Sequence, residues 1–374
     1  MKPSVLVCIP CLLTGGTEIQ TLNLVHALKS ADYEVTTLCY FEHTPTIVNA
    51  YKDAGSEVIC LSDEGTRPVG IWRTISFLYK GLRKVLKAKH YDVVHVQYMA
   101  PSAIPIILIH LLGRKTIIAT AHTCADIYPN LRLVLFLQRH ILRAFTCISL
   151  TAEESFFGSV SLFTEKTALA KRNHFTIYNA LSPAVPIRQT PRIYSETVTI
   201  GVVSRLEHIK GMDLVVPAFQ TVYAKHPNTR LLVVGDGSLR KTMEEQAAPL
   251  KEAISFVGRQ PTDKLCDYYD QIDILWIPSR SEGFGLTALE GMARGCVIVG
   301  SKIGGLAELI GKEEEFGMLH SPNDANELAD KTNELITSGG LAEVLSTKSI
   351  ERSTDFTQGL YSNSIARLYH QLTH

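Results

Sequence analysis

Short apolar runs alternate with amphipathic stretches along most of the chain, and few folds accommodate that order. The runs fall at 5–10, 35–40, 58–61, 93–97, 116–121 and 145–150, with helical patterns at 18–29, 46–54, 71–89, 103–112 and 131–142 between them. The alternation restarts at 198–203 and continues through 231–234, 254–257, 274–278 and 296–300. Runs of near-continuous Val, Ile and Leu, each followed by a helix, predict parallel sheets covered on both faces, an α/β class. A length of 374 residues suits two such domains better than one. Between the series, Asn179 to Pro186 and then Pro191 form a proline-dense stretch with poor periodicity, which reads as a linker. The expected division is 1–180, a linker at 181–196, 197–356, and a closing helix within 357–374.

A hydrophobic content of 45% and a charged content of 20% describe a chain that can bury ordinary cores. The even overall charge conceals an asymmetry. Residues 1–185 hold 18 basic and 13 acidic side chains, and residues 186–374 hold 19 and 24. That basic bias suits an anionic acceptor or a lipid surface and is too weak for nucleic acid. The first residues enter a strand with no cleavage site after it, and no apolar run reaches the ~20 residues of a membrane span. A cytoplasmic protein with peripheral contact at the inner membrane face is the expectation. The eight cysteines are scattered through apolar patterns, which favours buried thiols over disulfides. Cys8 and Cys11 form a C-x-x-C, but Cys8 falls within a strand and no second pair completes a zinc site.

The richest stretch joins the apolar run 274–278 to Ser-Glu-Gly-Phe-Gly-Leu-Thr-Ala-Leu-Glu at 281–290. It reads strand, glycine loop, helix from about Leu286, and such a loop lays backbone amides at a helix N-terminus, where anions bind. Glu282 stands beside that site and Glu290 about two turns into the helix. Carboxylates accept hydrogen bonds from sugar hydroxyls while amides hold phosphate, so the pattern suggests a nucleotide sugar.

Glu282 and Glu290 stand as E-x7-E, followed by Gly295 and Gly304-Gly305. This resembles the signature of retaining glycosyltransferases of family 4, the group 1 enzymes. The resemblance implies the GT-B fold, with two Rossmann-like doubly wound domains facing across a cleft, acceptor in the first and donor in the second. It also implies sugar transfer from a nucleotide diphosphate with retention of configuration, and a last helix crossing back to the first domain. Ser204-Arg205-Leu206, then Lys210-Gly211 and Asp213, are similar to the family's G-R-L and K-G-x-D element, with Ser204 where Gly is usual. Arg205 and Lys210 would then neutralise the departing diphosphate, whose charge builds in the transition state. Glu282 would bind the donor sugar, Glu290 the ribose, and Gly283, Phe284, Gly285 and Leu286 the phosphates through their backbone. Thr287 could add a hydroxyl. Gly235, and Arg259 in the loop 258–260, fall where the family contacts the nucleotide. Asp236 reads equally as a turn residue.

In the first half, Gly15 and Gly16 follow the first strand, either as a plain turn or, as the resemblance implies, facing the transferring phosphate. His122 ends a strand at the same rim, where the family commonly has a donor-contacting histidine. Residues 71–89 interleave six basic with apolar side chains, which fits a packed helix with a solvated basic face or a helix lying on a membrane. Asp-x-Asp is absent, so no metal-chelating donor site and no cofactor are expected beyond a UDP- or GDP-sugar substrate. The partners implied are that nucleotide sugar and a saccharide or lipid-linked acceptor. A sugar-nucleotide 2-epimerase of the same fold, a glycogen- or sucrose-type synthase and a non-catalytic nucleotide-sugar-binding protein remain alternatives.

Overall fold

A computed structural model describes residues 2–97, 103–128, 130–190, 192 and 196–373. The chain divides into two compact units, Met1–Ala180 with Gln358–His374, and Leu181–Thr357.

In the first unit the strands are β1 (Ser4–Ile9), β2 (Glu34–Cys39), β3 (Glu57–Cys60), β4 (Val93–Gln97), β5 (Ile117–Ala121), β6 (Ala144–Cys147) and β7 (His174–Thr176). They form one parallel sheet in the order β3-β2-β1-β4-β5-β6-β7. Its helices are α1 (Gly16–Ser30), α2 (Pro45–Asp53), α3 (Ile71–Ala88), α4 (Ile104–Leu111), α5 (Leu131–His140) and α6 (Leu150–Phe157). Alternation along β1 shows why the strand reads as continuously apolar. Leu6 and Cys8 enter the core that contains Leu78 and Leu82 of α3, Ile106 of α4 and Leu137 of α5, while Val5, Val7 and Ile9 enter the core that contains Leu24 and Leu28 of α1. The strand expected through residue 150 stops at Cys147, because the Ser149 hydroxyl accepts the amide of Ala152 at 3.1 Å and so caps α6.

The second unit repeats the plan with β8 (Val198–Val203), β9 (Thr229–Val234), β10 (Ile254–Gly258), β11 (Ile274–Ile277), β12 (Val297–Ser301) and β13 (Met318–His320), ordered β10-β9-β8-β11-β12-β13. All its pairings are parallel. Its helices are α7 (Val215–Lys225), α8 (Arg240–Ala247), α9 (Leu265–Tyr269), α10 (Leu286–Ala293), α11 (Gly304–Ile310), α12 (Ala325–Thr337) and α13 (Leu341–Ser353). Trp276 of β11 is buried in this core and donates its indole N–H to Thr332 of α12 at 2.8 Å.

The stretch read as a linker is not a loose connector. The backbone amides of Leu181 and Arg188 donate to Phe356 and Ala293 of the second unit at 2.7 and 2.8 Å. The buried guanidinium of Arg192 donates to Asp273 at 3.1 Å and to the carbonyl of Tyr269 at 3.1 Å. Proline density marked an irregular backbone, and side-chain anchors unrelated to periodicity tie it down. Pro191 and residues 193–195 of that stretch lie outside the described residues. The last helix, α14 (Gln358–Thr373), belongs to the first unit. Its Ile365, Leu368 and Tyr369 are buried in the core that holds Val5, Val7 and Ile9. The Tyr369 hydroxyl and His95 Nδ1 share a hydrogen bond of 2.7 Å.

Candidate functional site

In a doubly wound sheet, ligands bind beyond the carboxyl ends of the strands where the strand order reverses. In the second unit that point lies between β8 and β11, which are neighbours although two strands intervene in the chain. The turn after β8 carries Arg205 and Lys210, and the loop after β11 carries Glu282.

These two loops are locked together. Gly211 has a φ of 70°, and a Cβ on it would lie 1.8 Å from the carbonyl oxygen of Pro278, so no other residue fits that crossing. The amide of Arg280 donates to Ile209 at 2.9 Å, and its guanidinium forks onto Asp213 at 2.7 and 2.8 Å. Burial pushes the Asp213 carboxyl up, but the hydrogen bonds and charge of Arg280, together with a backbone hydrogen bond and nearby His208, outweigh it and hold the group below its ordinary range. The lock brings Lys210 Nζ to 2.7 Å from Glu282 Oε2, with both side chains about a fifth exposed, at 22% and 19%. A cation and an acid therefore meet at the switch point, within reach of solvent. Arg205 is exposed on the turn between β8 and Lys210.

Helix α10 starts at Leu286 behind Gly285, which is left-handed at φ 97° and supplies no side-chain cap. A helix start leaves amides without intrahelical acceptors, here in the turn holding Leu286 and Thr287. The Phe284 side chain is buried edge-on against Phe356, with ring centroids 5.4 Å apart, so it anchors the loop and cannot offer its ring to a ligand. Gly305 is required because a Cβ there would approach the Gly283 carbonyl oxygen to 2.3 Å. The second glycine turn thus packs under the first.

Glu290, on α10, accepts the Tyr269 hydroxyl at 2.7 Å. Burial raises its carboxyl to about 7, with the Tyr269 hydrogen bond opposing the rise. The other loops of the second unit lie at the ends of β9 and β10. The Gly235 amide donates to the Gly258 carbonyl at 2.9 Å, and Arg259 is exposed. The Asp236 carboxylate accepts its neighbour's amide, that of Gly237, at 2.8 Å and pairs with Arg240 at 3.3 Å, which favours the turn reading.

Gly15, Gly16 and His122 belong to the first unit. Gly15 precedes α1 and Gly16 opens it. The Glu18 carboxyl folds back to within 2.5 Å of where a Gly15 Cβ would be, and Cys11 donates its thiol to it at 3.3 Å. This helix start therefore already has an acid beside it. His122 Nε2 and Gln97 Oε1 lie 2.9 Å apart. Burial lowers His122 to about 4 and His95 to about 3, so both are neutral at pH 7. With Thr120 and Asn179 they line an interior cavity of about 20 Å³.

Two partnerships escaped the sequence. Tyr269 gives Glu290 its hydrogen bond from 21 residues away, and Arg280 grips Asp213 across 67. The second was open to inference once β8 and β11 were placed side by side, because opposite charges then follow neighbouring strands.

Comparison with known proteins agrees with this fold. Residues 186–352 match the family described as glycosyl transferases group 1, and residues 14–154 match glycosyltransferase family 4. An uncharacterized glycosyltransferase of Methanocaldococcus jannaschii is 25% identical over 366 residues, covering 96% of this chain and 95% of its own. A lipopolysaccharide core biosynthesis mannosyltransferase of Rhizobium meliloti is 29% identical over 182 residues, covering 46% of this chain and 51% of its own. The crystal structure of Anabaena HepE in complex with UDP and glucose superposes with a TM-score of 0.76 at 18% identity, covering 98% of this chain and 99% of that one. Two parallel doubly wound α/β units are the architecture of the GT-B fold, which these structural neighbours share. The chain belongs to the group 1 glycosyltransferases of family 4.

Proposed function

We propose that this glycosyltransferase moves a sugar from a UDP- or GDP-linked donor to a saccharide or lipid-linked acceptor, with retention of configuration and without a metal ion in the donor site. Its setting is the synthesis of surface polysaccharide or another glycoconjugate, as the name of the Rhizobium relative suggests by analogy. The observation that carries the reading is the Lys210–Glu282 contact of 2.7 Å between the loops after β8 and β11. Lys210 and Arg205 supply the positive charge that a departing diphosphate needs, helped by amides at the start of α10 and by the Thr287 hydroxyl. Glu282, freed from Lys210 as phosphate takes its place, accepts hydroxyls of the donor sugar. Glu290 accepts those of the ribose. The leaving phosphate, held on one face of the sugar, takes the proton of the incoming acceptor hydroxyl, so the new bond forms on the face the old one leaves. In the first unit, His122 and the Gly15–Gly16 turn serve the sugar and acceptor, His122 as a neutral hydrogen-bonding group. The same unit makes peripheral contact with an anionic membrane through α3.

Steady-state and single-turnover kinetics test the transfer. Lys210→Ala should lower kcat by roughly 10²–10³-fold, the usual cost of removing one preorganised charge-stabilising group. Glu282→Gln should slow turnover and leave no sugar on the protein, whereas a covalent adduct by mass spectrometry would establish a double-displacement route instead. Donor should be consumed only when acceptor is present, and neither EDTA nor added Mn²⁺ should change kcat. Consumption of donor alone with conversion at C2 would mark an epimerase.

A further inference from the structure

At the carboxyl ends of β2 and β3 the first unit holds a group of side chains that sugar transfer does not use. Cys39 and Cys60 are register partners on these neighbouring parallel strands, so their side chains leave the same face of the sheet. His43 lies in the short connection from β2 to α2. That connection is pinned to the chain after β1: Leu12 donates its amide to Glu42 at 2.8 Å, and Thr44 donates its own to Leu12 at 3.0 Å. One ligand atom from each of Cys39, His43 and Cys60 lies within 4.8 Å of the other two. Tetrahedral zinc, with bonds of about 2.3 Å to sulfur and about 2.0 Å to nitrogen, sets donor atoms roughly 3.5–3.8 Å apart. The trio therefore needs to close by about an ångström, which side-chain torsions of two cysteines and a loop histidine supply.

The chemistry of the donors points the same way. His43 Nδ1 lies 3.1 Å from the Phe41 carbonyl oxygen, which can only accept, so Nδ1 carries the proton and Nε2 the lone pair. A ring nitrogen fixed by a backbone carbonyl is the usual support of a metal-binding imidazole. Cys39 is buried and Cys60 and His43 are half-buried, so one side of the group stays open to an entering ion. Two thiolates neutralise a divalent cation, so the loaded site adds no net charge to the interior.

We propose that Cys39, Cys60 and His43 bind one divalent ion of the zinc class in the first unit. Two sulfurs and an imidazole select a borderline-soft ion over Mg²⁺ or Mn²⁺. The fourth position belongs to water. Binding exchanges two thiol protons, released to solvent, for two metal–sulfur bonds, with no change of oxidation state. The ion ties β3 to the connection between β2 and α2, and it takes no part in sugar transfer, so removing it lowers stability and leaves kcat unchanged.

Reduced, metal-free full-length protein titrated with Co²⁺ is the test. One equivalent should develop a sulfur-to-cobalt charge-transfer band with tetrahedral d–d bands, release two protons per ion, and be displaced by Zn²⁺. Saturating Zn²⁺ should raise Tm by about 5 °C or more when free ion exceeds Kd a hundredfold. Cys60→Ser and His43→Gln should each weaken Co²⁺ at least ~10-fold, and Cys266→Ser should not. In the unmodified protein, Zn²⁺ should protect Cys60 from alkylation and leave Cys266 reactive, a readout that needs no variant to fold. The proposal fails if stoichiometric Co²⁺ gives no such bands, if the bands survive both ligand substitutions, or if peptide mapping finds Cys39 and Cys60 joined as a disulfide in the isolated protein.

Discussion

Glu290 shows how one side chain can link fold and ligand. With its carboxyl raised to about 7 from an ordinary value of 4.5, it keeps its proton in the folded, unliganded protein through mildly acidic pH, while the unfolded chain loses it. The folded state then binds more protons than the unfolded one between those values. The stabilisation is complete below pH 4.5, declines as pH rises toward 7, and is gone above it, a swing of about 3 kcal/mol. Glu290→Gln keeps a neutral partner for Tyr269 and should remove that slope, so the variant should gain on the parent by pH 8 in thermal melts across pH 5 to 8. If Glu290 holds the ribose as proposed, a bound nucleotide reverses the preference, because ribose hydroxyls donate to the carboxylate. UDP should therefore bind the parent roughly 3–10-fold tighter at pH 8 than at pH 6 by calorimetry, and bind the variant weakly and equally at both. Equal affinities in the parent would remove Glu290 from the nucleotide site.

Among the elements, α3 settles one of the two readings its sequence allowed without excluding the other. Leu78, Leu82, Val85 and Leu86 are buried in the core, while Arg73, Lys80, Arg83, Lys84 and Lys87 face solvent, as a packed helix with a basic face requires. Its first turn adds what packing does not explain: Trp72 is 80% exposed and Val69, just before the helix, 84%. An exposed tryptophan beside a row of cations is the composition of a helix that rests on anionic lipid. The protein should co-sediment with vesicles rich in anionic lipid at low salt and release as salt rises. Lys80→Glu with Arg83→Glu should weaken that binding ~10-fold or more, at about 1 kcal/mol per charge removed. Equal binding to neutral vesicles, or none to anionic ones, would leave the exposed turn unexplained. The same helix shows what could be read beforehand. Periodicity places elements well, because burial on a face is a local pattern: β8 and α3 lie within a residue of expectation. Pairings are not local. The Ser149 cap, the Arg192 anchor and the hydrogen bond from Tyr269 to Glu290 each depend on which elements the fold sets side by side. Lys210 and Glu282 were legible because their motifs are, but their contact was not.

For the whole molecule, each unit buries apolar side chains of its own: Ile200, Val216, Leu231 and Trp276 in one cluster of the second, where Leu275, Ile298, Leu306 and Leu309 are buried as well, and two clusters, on either face of the β1 sheet, in the first. The chain leaves the first unit at Ala180 and returns to it at Gln358, so the second unit is an insertion between β7 and α14. Every residue proposed to hold the nucleotide portion of the donor, from Arg205 to Glu290, belongs to that insertion. UDP, which lacks the sugar, should then slow hydrogen exchange in peptides spanning 204–211 and 279–293 and in the strands behind them, and leave peptides around Gly15, Gly16 and His122 unchanged. At a hundredfold excess over Kd the linked stabilisation is about 2.7 kcal/mol, enough to lower exchange through global opening of the second unit roughly 100-fold. The complete donor adds the sugar, and protection should extend to the first unit only with it. Protection of the Gly15–Gly16 turn by UDP alone would mean that the first unit grips the phosphates itself, and the division of labour between the units would have to be redrawn.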